Sequence, residues 1–277
     1  MQDTHIHASE QAVGNCNTDE VCQQRGPGHY QIDGREVSLP VRVNDASMLM
    51  NIFAVDSKVA QSLIADTGFK VVKLWPGKAL MQLLAVDYRE NDLGDYNEAA
   101  IVFPVTTPGE SAPLPIVGAL WRVLRGKLAN YVYRMPVNQG FTTHAGRFIW
   151  GFPKWVTDVD IQIDEQQARA RFTDDQQLVF EITAKAGGNI SAGAQQAPSL
   201  AVRNGRAWKT IGITEGEGLR FSLGGALPSI GDQHPLAKTL RELGLPKKPL
   251  CSVSMKRAKL LFEGPEVVDI GQPFSRR

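Results

Sequence analysis

The chain has 277 residues, 43% of them hydrophobic and 21% charged, with a formal net charge of +1. These are ordinary proportions for a soluble globular protein, long enough for one large domain or two small ones. The near-zero balance gives no electrostatic case for binding nucleic acid or an anionic membrane. No apolar run nears the ~18 residues of a membrane span.

In chain order, residues 1–28 read as a polar, flexible leader that ends at "RGPG". "REVSLPVRV" (35–43) alternates Val37, Leu39, Val41 and Val43, the pattern of a half-buried strand. "DSKVAQSLIADTG" (56–68) predicts a helix with Asp56 or Ser57 as its cap, an apolar stripe of Val59, Leu63 and Ile64, and Gly68 as the stop. Strand patterns then dominate: 69–75, 79–88, 96–105, 128–137, 156–163, 167–173, 177–184, 206–214, 217–223 and 250–263. Two further helices are expected, a short apolar one over 115–126 and an amphipathic one over 234–244 that stops at Gly244. Many strands with few helices between them argue for an antiparallel sheet closed into a barrel, and no linker divides 29–277.

Several chemistries lack their marks. The chain has no G-x-G-x-x-G, no phosphate-binding loop, no G-x-S-x-G elbow and no S-x-x-K pair. His5 and His7 sit in the leader with no helix to orient them, so no metal site is expected. Cys16, Cys22 and Cys251 are too few for a disulfide framework, and reduced thiols in the cytosol are the simplest expectation. The opening residues have neither a basic region nor an apolar core, which also points to the cytoplasm.

What remains is "GRFIWGFPKWV" (146–156), one lysine among aromatic and apolar residues. An amine attacks a ketone only when unprotonated, and at pH 7 a free lysine is neutral in only about one molecule in 2,500. Apolar burial disfavours the ammonium and raises that fraction. Trp150, Phe152 and Trp155 supply the apolar mass, so Lys154 is a candidate Schiff-base nucleophile. The alternative is a lysine whose stem lies along aromatic surface while its head reaches water.

This segment resembles the lysine segment of the acetoacetate decarboxylase family, in which Gly-Arg leads into an aromatic-Pro-Lys and the lysine forms the Schiff base. "HYQIDGREVSLPVR" (29–42) is similar to the family's arginine segment, "GDYNEAAIVFPV" (94–105) to its glutamate segment, and 234–262 to its closing helix and strand. The resemblance implies an α+β, strand-dominated fold: an antiparallel, cone-shaped β-barrel with a few short helices. It assigns Lys154 as nucleophile, Arg35 as holder of the substrate carboxylate, and Glu98 as the proton carrier. It also implies a homo-oligomer that acts on a small keto acid without metal or organic cofactor.

The chain departs from the family pattern in three places. The residue after the nucleophile is Trp155 instead of a second lysine. Adjacent side chains of an extended segment point to opposite faces, so Trp155 need not meet the lysine head; as a pocket residue it would exclude water. The family's other glutamate falls at Leu83 or Gln82, and Gln82, as a pocket residue, can hydrogen-bond but cannot act as a base. The stretch 106–128 is longer than its counterpart. The expected activity is decarboxylation of a β-keto acid of the acetoacetate type. The alternatives are a pyruvate-dependent aldolase-dehydratase on the same scaffold and a non-catalytic barrel that binds an apolar keto acid.

Overall fold

The computed structural model describes residues 21–110, 122 and 127–268, and most of them lie in strands. In chain order the strands are β1 (Cys22–Gly26), β2 (His29–Ile32), β3 (Arg35–Ser38), β4 (Val41–Asp56), β5 (Lys70–Val71), β6 (Lys73–Trp75), β7 (Lys78–Asn91), β8 (Tyr96–Thr106) and β9 (Ala129–Val137). They continue with β10 (Lys154–Val156), β11 (Asp158–Ile163), β12 (Gln167–Asp174), β13 (Gln177–Lys185), β14 (Ile190–Arg203), β15 (Arg206–Leu223), β16 (Ser229–Ile230), β17 (Cys251–Phe262) and β18 (Glu266–Val268). The helices are α1 (Ser57–Leu63), α2 (Gly140–Ala145) and α3 (Pro235–Glu242). None of them is long and apolar enough to cross a membrane.

Strands β9-β14-β15-β17-β4-β7-β8 pair in that order, and β8 pairs back onto β9, so seven strands close a barrel. Closure removes the free edges of the sheet. All its pairs are antiparallel except β9 with β14, and β10 adds to β9 in parallel. A second sheet, β11-β12-β13-β16, lies outside the barrel, and a three-stranded sheet, β1-β2-β3, precedes it.

Two cores result. One contains Phe53, Met81, Leu83, Ile101, Phe103, Phe172 and Phe180 and joins the barrel's outer face to the second sheet and to α1 and α3. The other contains Val86, Tyr88, Tyr96, Val102, Val137, Trp150 and Phe152 and fills part of the barrel interior. Because both faces of β7 and β8 are buried, their sequences read as near-continuous apolar runs.

Helix α1 forms as its signals predict. Asp56 accepts hydrogen bonds from the backbone N–H groups of Lys58 and Val59, and Gly68 leaves the following turn at φ 72°. Other expectations need correction. The stretch 35–43 is not one strand: Pro40, which has no N–H to donate, separates β3 from β4, and the two belong to different sheets. The two strands expected over 206–223 are one long strand, β15. The barrel strand β14 carries no alternation, because its first half, "ISAGAQQA", is exposed or half-exposed on both faces. The expected leader already contains β1, in which Cys22 is fully buried. Cys22 is also disulfide-bonded, contrary to the reduced thiols expected, while Cys251 is free and buried. The helix expected over 115–126 falls, but for residue 122, outside the described residues, as do His5, His7 and Cys16.

Candidate active site

The lysine segment opens at Gln139, whose side chain caps α2 by accepting from the Thr142 N–H. Helix α2 runs on into a wide helical turn, Gly146–Trp150, which ends at Gly151 with φ 73°. Gly146 is required by a close approach. A β-carbon there would lie 2.5 Å from Lys154 Cδ and 2.7 Å from Cε, so the lysine stem passes where any other side chain would begin. The Arg147 guanidinium folds back and donates from Nε to the Lys154 carbonyl oxygen. Arg203 donates to the Phe148 carbonyl oxygen, and the Trp150 indole donates to the Glu263 carbonyl oxygen at 2.9 Å. The turn is therefore pinned to the barrel wall on both sides of the bend.

These anchors set β10 beside β9, with Lys154 opposite Met135. The Lys154 side chain enters the barrel and is only 5% exposed. Its Nζ lies 2.6 Å from Glu98 Oε2, and Glu98 is equally buried. Glu98 stands on β8 between Val86 of β7 and Val137 of β9. Its other oxygen, Oε1, accepts from the Tyr88 hydroxyl at 3.4 Å. Tyr88 stacks on Tyr96 with ring centroids 4.5 Å apart, and Lys154 Nζ sits 5.1 Å from the Tyr96 ring centroid. Burial, followed by the negative charge of Glu98, pushes both phenols well above the usual tyrosine value, so both carry their protons at neutral pH.

The structure thus brings together two of the expected residues, Lys154 and Glu98. Gln82 also faces the interior, opposite Val102, and its amide donates to Asn130 Oδ1 at 3.4 Å. Four residues separate Val102 from Glu98 along β8, so Gln82 lies roughly 13 Å away at ~3.4 Å per residue. Leu83, the other position considered for the missing carboxylate, is fully buried in the outer core.

Trp155 lies elsewhere. It leaves β10 on the face opposite Lys154, packs edge-on against Phe172 at 6.0 Å and joins the outer core. Its indole N–H donates to Asp174 Oδ2 at 3.0 Å. Asp174 also accepts from the Thr157 hydroxyl and lies 3.5 Å from His234 Nε2. Arg35 is exposed on β3, with its guanidinium 3.8 Å above the Phe141 ring of α2. It has no carboxylate partner among the described residues.

Tyr88 escaped the sequence reading because it reaches Glu98 only through the register of the β7–β8 hairpin. Asp174 escaped for the same kind of reason, lying on a separate sheet. The "GR" dipeptide gave a signal, and its physical content is now visible: Gly146 leaves room for the lysine stem, and Arg147 holds the lysine backbone. No cluster of three or more His, Cys, Asp or Glu side chains suited to a metal ion occurs among the described residues.

The family model for acetoacetate decarboxylase matches residues 31–216. Solved structures share the fold. One is acetoacetate decarboxylase from Legionella pneumophila, at 15% identity and TM-score 0.57, covering 83% of this chain and 87% of that one. Another is the enduracididine biosynthesis enzyme MppR complexed with pyruvate, at 12% identity and TM-score 0.55, covering 84% of this chain and 91% of that one. A third is an acetoacetate decarboxylase-like enzyme from Sphingomonas wittichii, at 13% identity and TM-score 0.52, covering 84% and 95%. No curated protein sequence matches significantly. With the family model matching well over half its length, the chain belongs to the acetoacetate decarboxylase family.

Proposed function

We propose that the protein is a carbon–carbon lyase that works through a Schiff base on Lys154, with a β-keto acid as substrate. The observation that carries this reading is the buried contact of 2.6 Å between Lys154 Nζ and Glu98 Oε2 inside the barrel. Two charges in so dry a place are expensive to maintain. Moving one proton from the ammonium to the carboxylate yields a neutral amine and a neutral acid at no cost in net charge. The amine is then ready to attack a ketone, and the acid already holds the proton that the reaction needs next.

In this mechanism Lys154 attacks the keto carbon to give a carbinolamine. Glu98 donates a proton to the departing hydroxyl, water leaves and an iminium forms. The electrons of the bond to the carboxylate carbon flow into the iminium, carbon dioxide leaves and an enamine remains. Glu98 takes up from solvent the one proton that decarboxylation consumes and delivers it to the enamine carbon; water then adds to the iminium and releases the product, with the amine regenerated. Tyr88 orients Glu98 through Oε1 and leaves Oε2 for the lysine. Arg35, the expected holder of the substrate carboxylate, stands exposed on β3 over the Phe141 ring, so this mechanism assigns it no step.

A second reading, a pyruvate-dependent aldolase-dehydratase, has one observation in its favour. Where the family has another carboxylate, this barrel interior presents the Gln82 amide. The iminium chemistry is common to both readings, and the carbonyl substrate distinguishes them.

The test is reduction with sodium borohydride in the presence of acetoacetate, of pyruvate, or of neither, followed by peptide mapping by mass. The expected result is an adduct on Lys154 with the β-keto acid, absent from Lys154→Arg. Stronger trapping of pyruvate would select the aldolase reading. A folded protein that binds keto acids and gives no adduct would be a binding barrel, and the lyase reading would fall.

A further inference from the structure

We infer that the barrel interior beyond Lys154 is a channel for a hydrocarbon tail, so that the substrate is a keto acid of medium chain length and not acetoacetate or pyruvate. This rests on the Schiff-base reading above and specifies its substrate class.

Strand register carries the argument. Directly opposed residues of an antiparallel pair point to the same face. Val86 is opposite Glu98, so it faces the interior with the reacting pair, and alternation along β7 puts Leu84 and Gln82 on that face too. On β4, Met48 and Met50 are opposite Val86 and Leu84; on β17, Val253 is opposite Met50. Met48, Met50, Leu84 and Val253 are all only half-buried, although the residues on the outer face beside them, Leu49, Leu83 and Ser254, are buried. The interior wall is open to solvent at these four side chains.

The wall starts one alternation step from Glu98. Leu84 lies two residues beyond Val86, roughly 7 Å along the strand. Met48 and Leu84 pack on the core that surrounds Lys154, whereas Met50 packs on a small apolar cluster of Ile52, Leu80, Leu128 and Cys251 farther along. None of the four wall residues carries a charge or a hydrogen-bonding group. Solvated apolar surface inside a barrel is unfavourable until hydrocarbon covers it. The two methionines give an adaptable lining without a fixed shape. A two- or three-carbon side of a keto acid would end short of this wall. A longer chain would run along it and reach its limit at the Gln82–Asn130 amide pair.

The experiment uses the intact protein and follows borohydride trapping on Lys154 with acetoacetate, 3-oxohexanoate and 3-oxooctanoate, and with pyruvate against 2-oxooctanoate. Trapping efficiency should rise with chain length by about fourfold per methylene, the value expected for a buried methylene group. Leu84→Gln and, separately, Met50→Gln should flatten that dependence. An adduct on Lys154 whose yield is independent of chain length, or falls with it, would overturn the channel and leave the Schiff-base reading standing. If no carbonyl compound gave an adduct, the Schiff-base reading would fall, and calorimetry with octanoate would judge the channel alone. Binding weakened by Leu84→Gln would support it, and absence of binding would overturn it.

Discussion

At position 146 a single hydrogen atom decides whether Lys154 can meet Glu98. The atoms that an alanine methyl would strike are Cδ and Cε of the lysine, the flexible end of a long side chain, and not a backbone strand. The fold can therefore accept Gly146→Ala, while the lysine head cannot keep its place. The expected outcome is a melting temperature close to that of the unaltered protein with Schiff-base trapping reduced by about a hundredfold. This is the scale of loss that follows a displacement of ~1 Å at a reacting centre. Trapping at the original level would show that the amine need not stand against Glu98. The "GFPK" aromatic context marked the lysine in the sequence. Its partner, 56 residues earlier, was assigned by family resemblance and not by any local pattern.

The short strand β10 is placed by contacts on both of its faces. Lys154 ties the inner face to β8; Trp155 and Thr157, just beyond the strand's end, tie the outer side to Asp174 of β12. Asp174→Ala removes the acceptor of the indole N–H and the principal side-chain partner of His234 Nε2. A buried donor left unpaired costs about 1–3 kcal/mol, so urea unfolding should show a loss of that size. Asp174→Asn retains an acceptor and should lose less. Equal losses would assign the effect to the charge and not to the hydrogen bonds. Trp155 thus occupies the second lysine's place in sequence without standing beside the Lys154 head: it supports the strand from behind.

Among the described residues, five carboxylates are held below their ordinary values, two of them, Asp56 and Asp164, by hydrogen bonds from backbone N–H groups. The Arg89 hydrogen bond does this for Asp45, and the Arg169 hydrogen bond for Glu181. For Asp174 burial acts upward, but the hydrogen bonds from His234, Thr157 and Trp155 together outweigh it. A carboxyl whose folded value lies below its unfolded one stabilises the fold fully above the unfolded value and loses that contribution as the pH falls through the folded one. Stability against urea should therefore fall progressively below about pH 4, and Asp174→Asn should reduce the steepness of that fall. A profile unchanged in the variant would remove Asp174 from the account.

Local chemistry alone was enough to place helix α1 between its Asp56 cap and Gly68, helix α3 before Gly244, and most strands, because capping, termination and alternation are written within a few residues. It also singled out Lys154, since an ammonium amid three large aromatic side chains conflicts with its solvation. Three features depended on tertiary structure. β14 is a barrel strand because β15 and β9 hydrogen-bond to it, and not because its own residues alternate. The face of β10 that each residue presents, Lys154 inward and Trp155 outward, follows from pairing with β9 and from the Asp174 anchor. The meeting of Lys154 with Glu98 and Tyr88 required the β7–β8–β9 register, in which a shift by one residue would turn each of these side chains to the other face. Contacts within a few residues were determined by the sequence itself; contacts between distant residues were decided by which strands the closed barrel sets side by side.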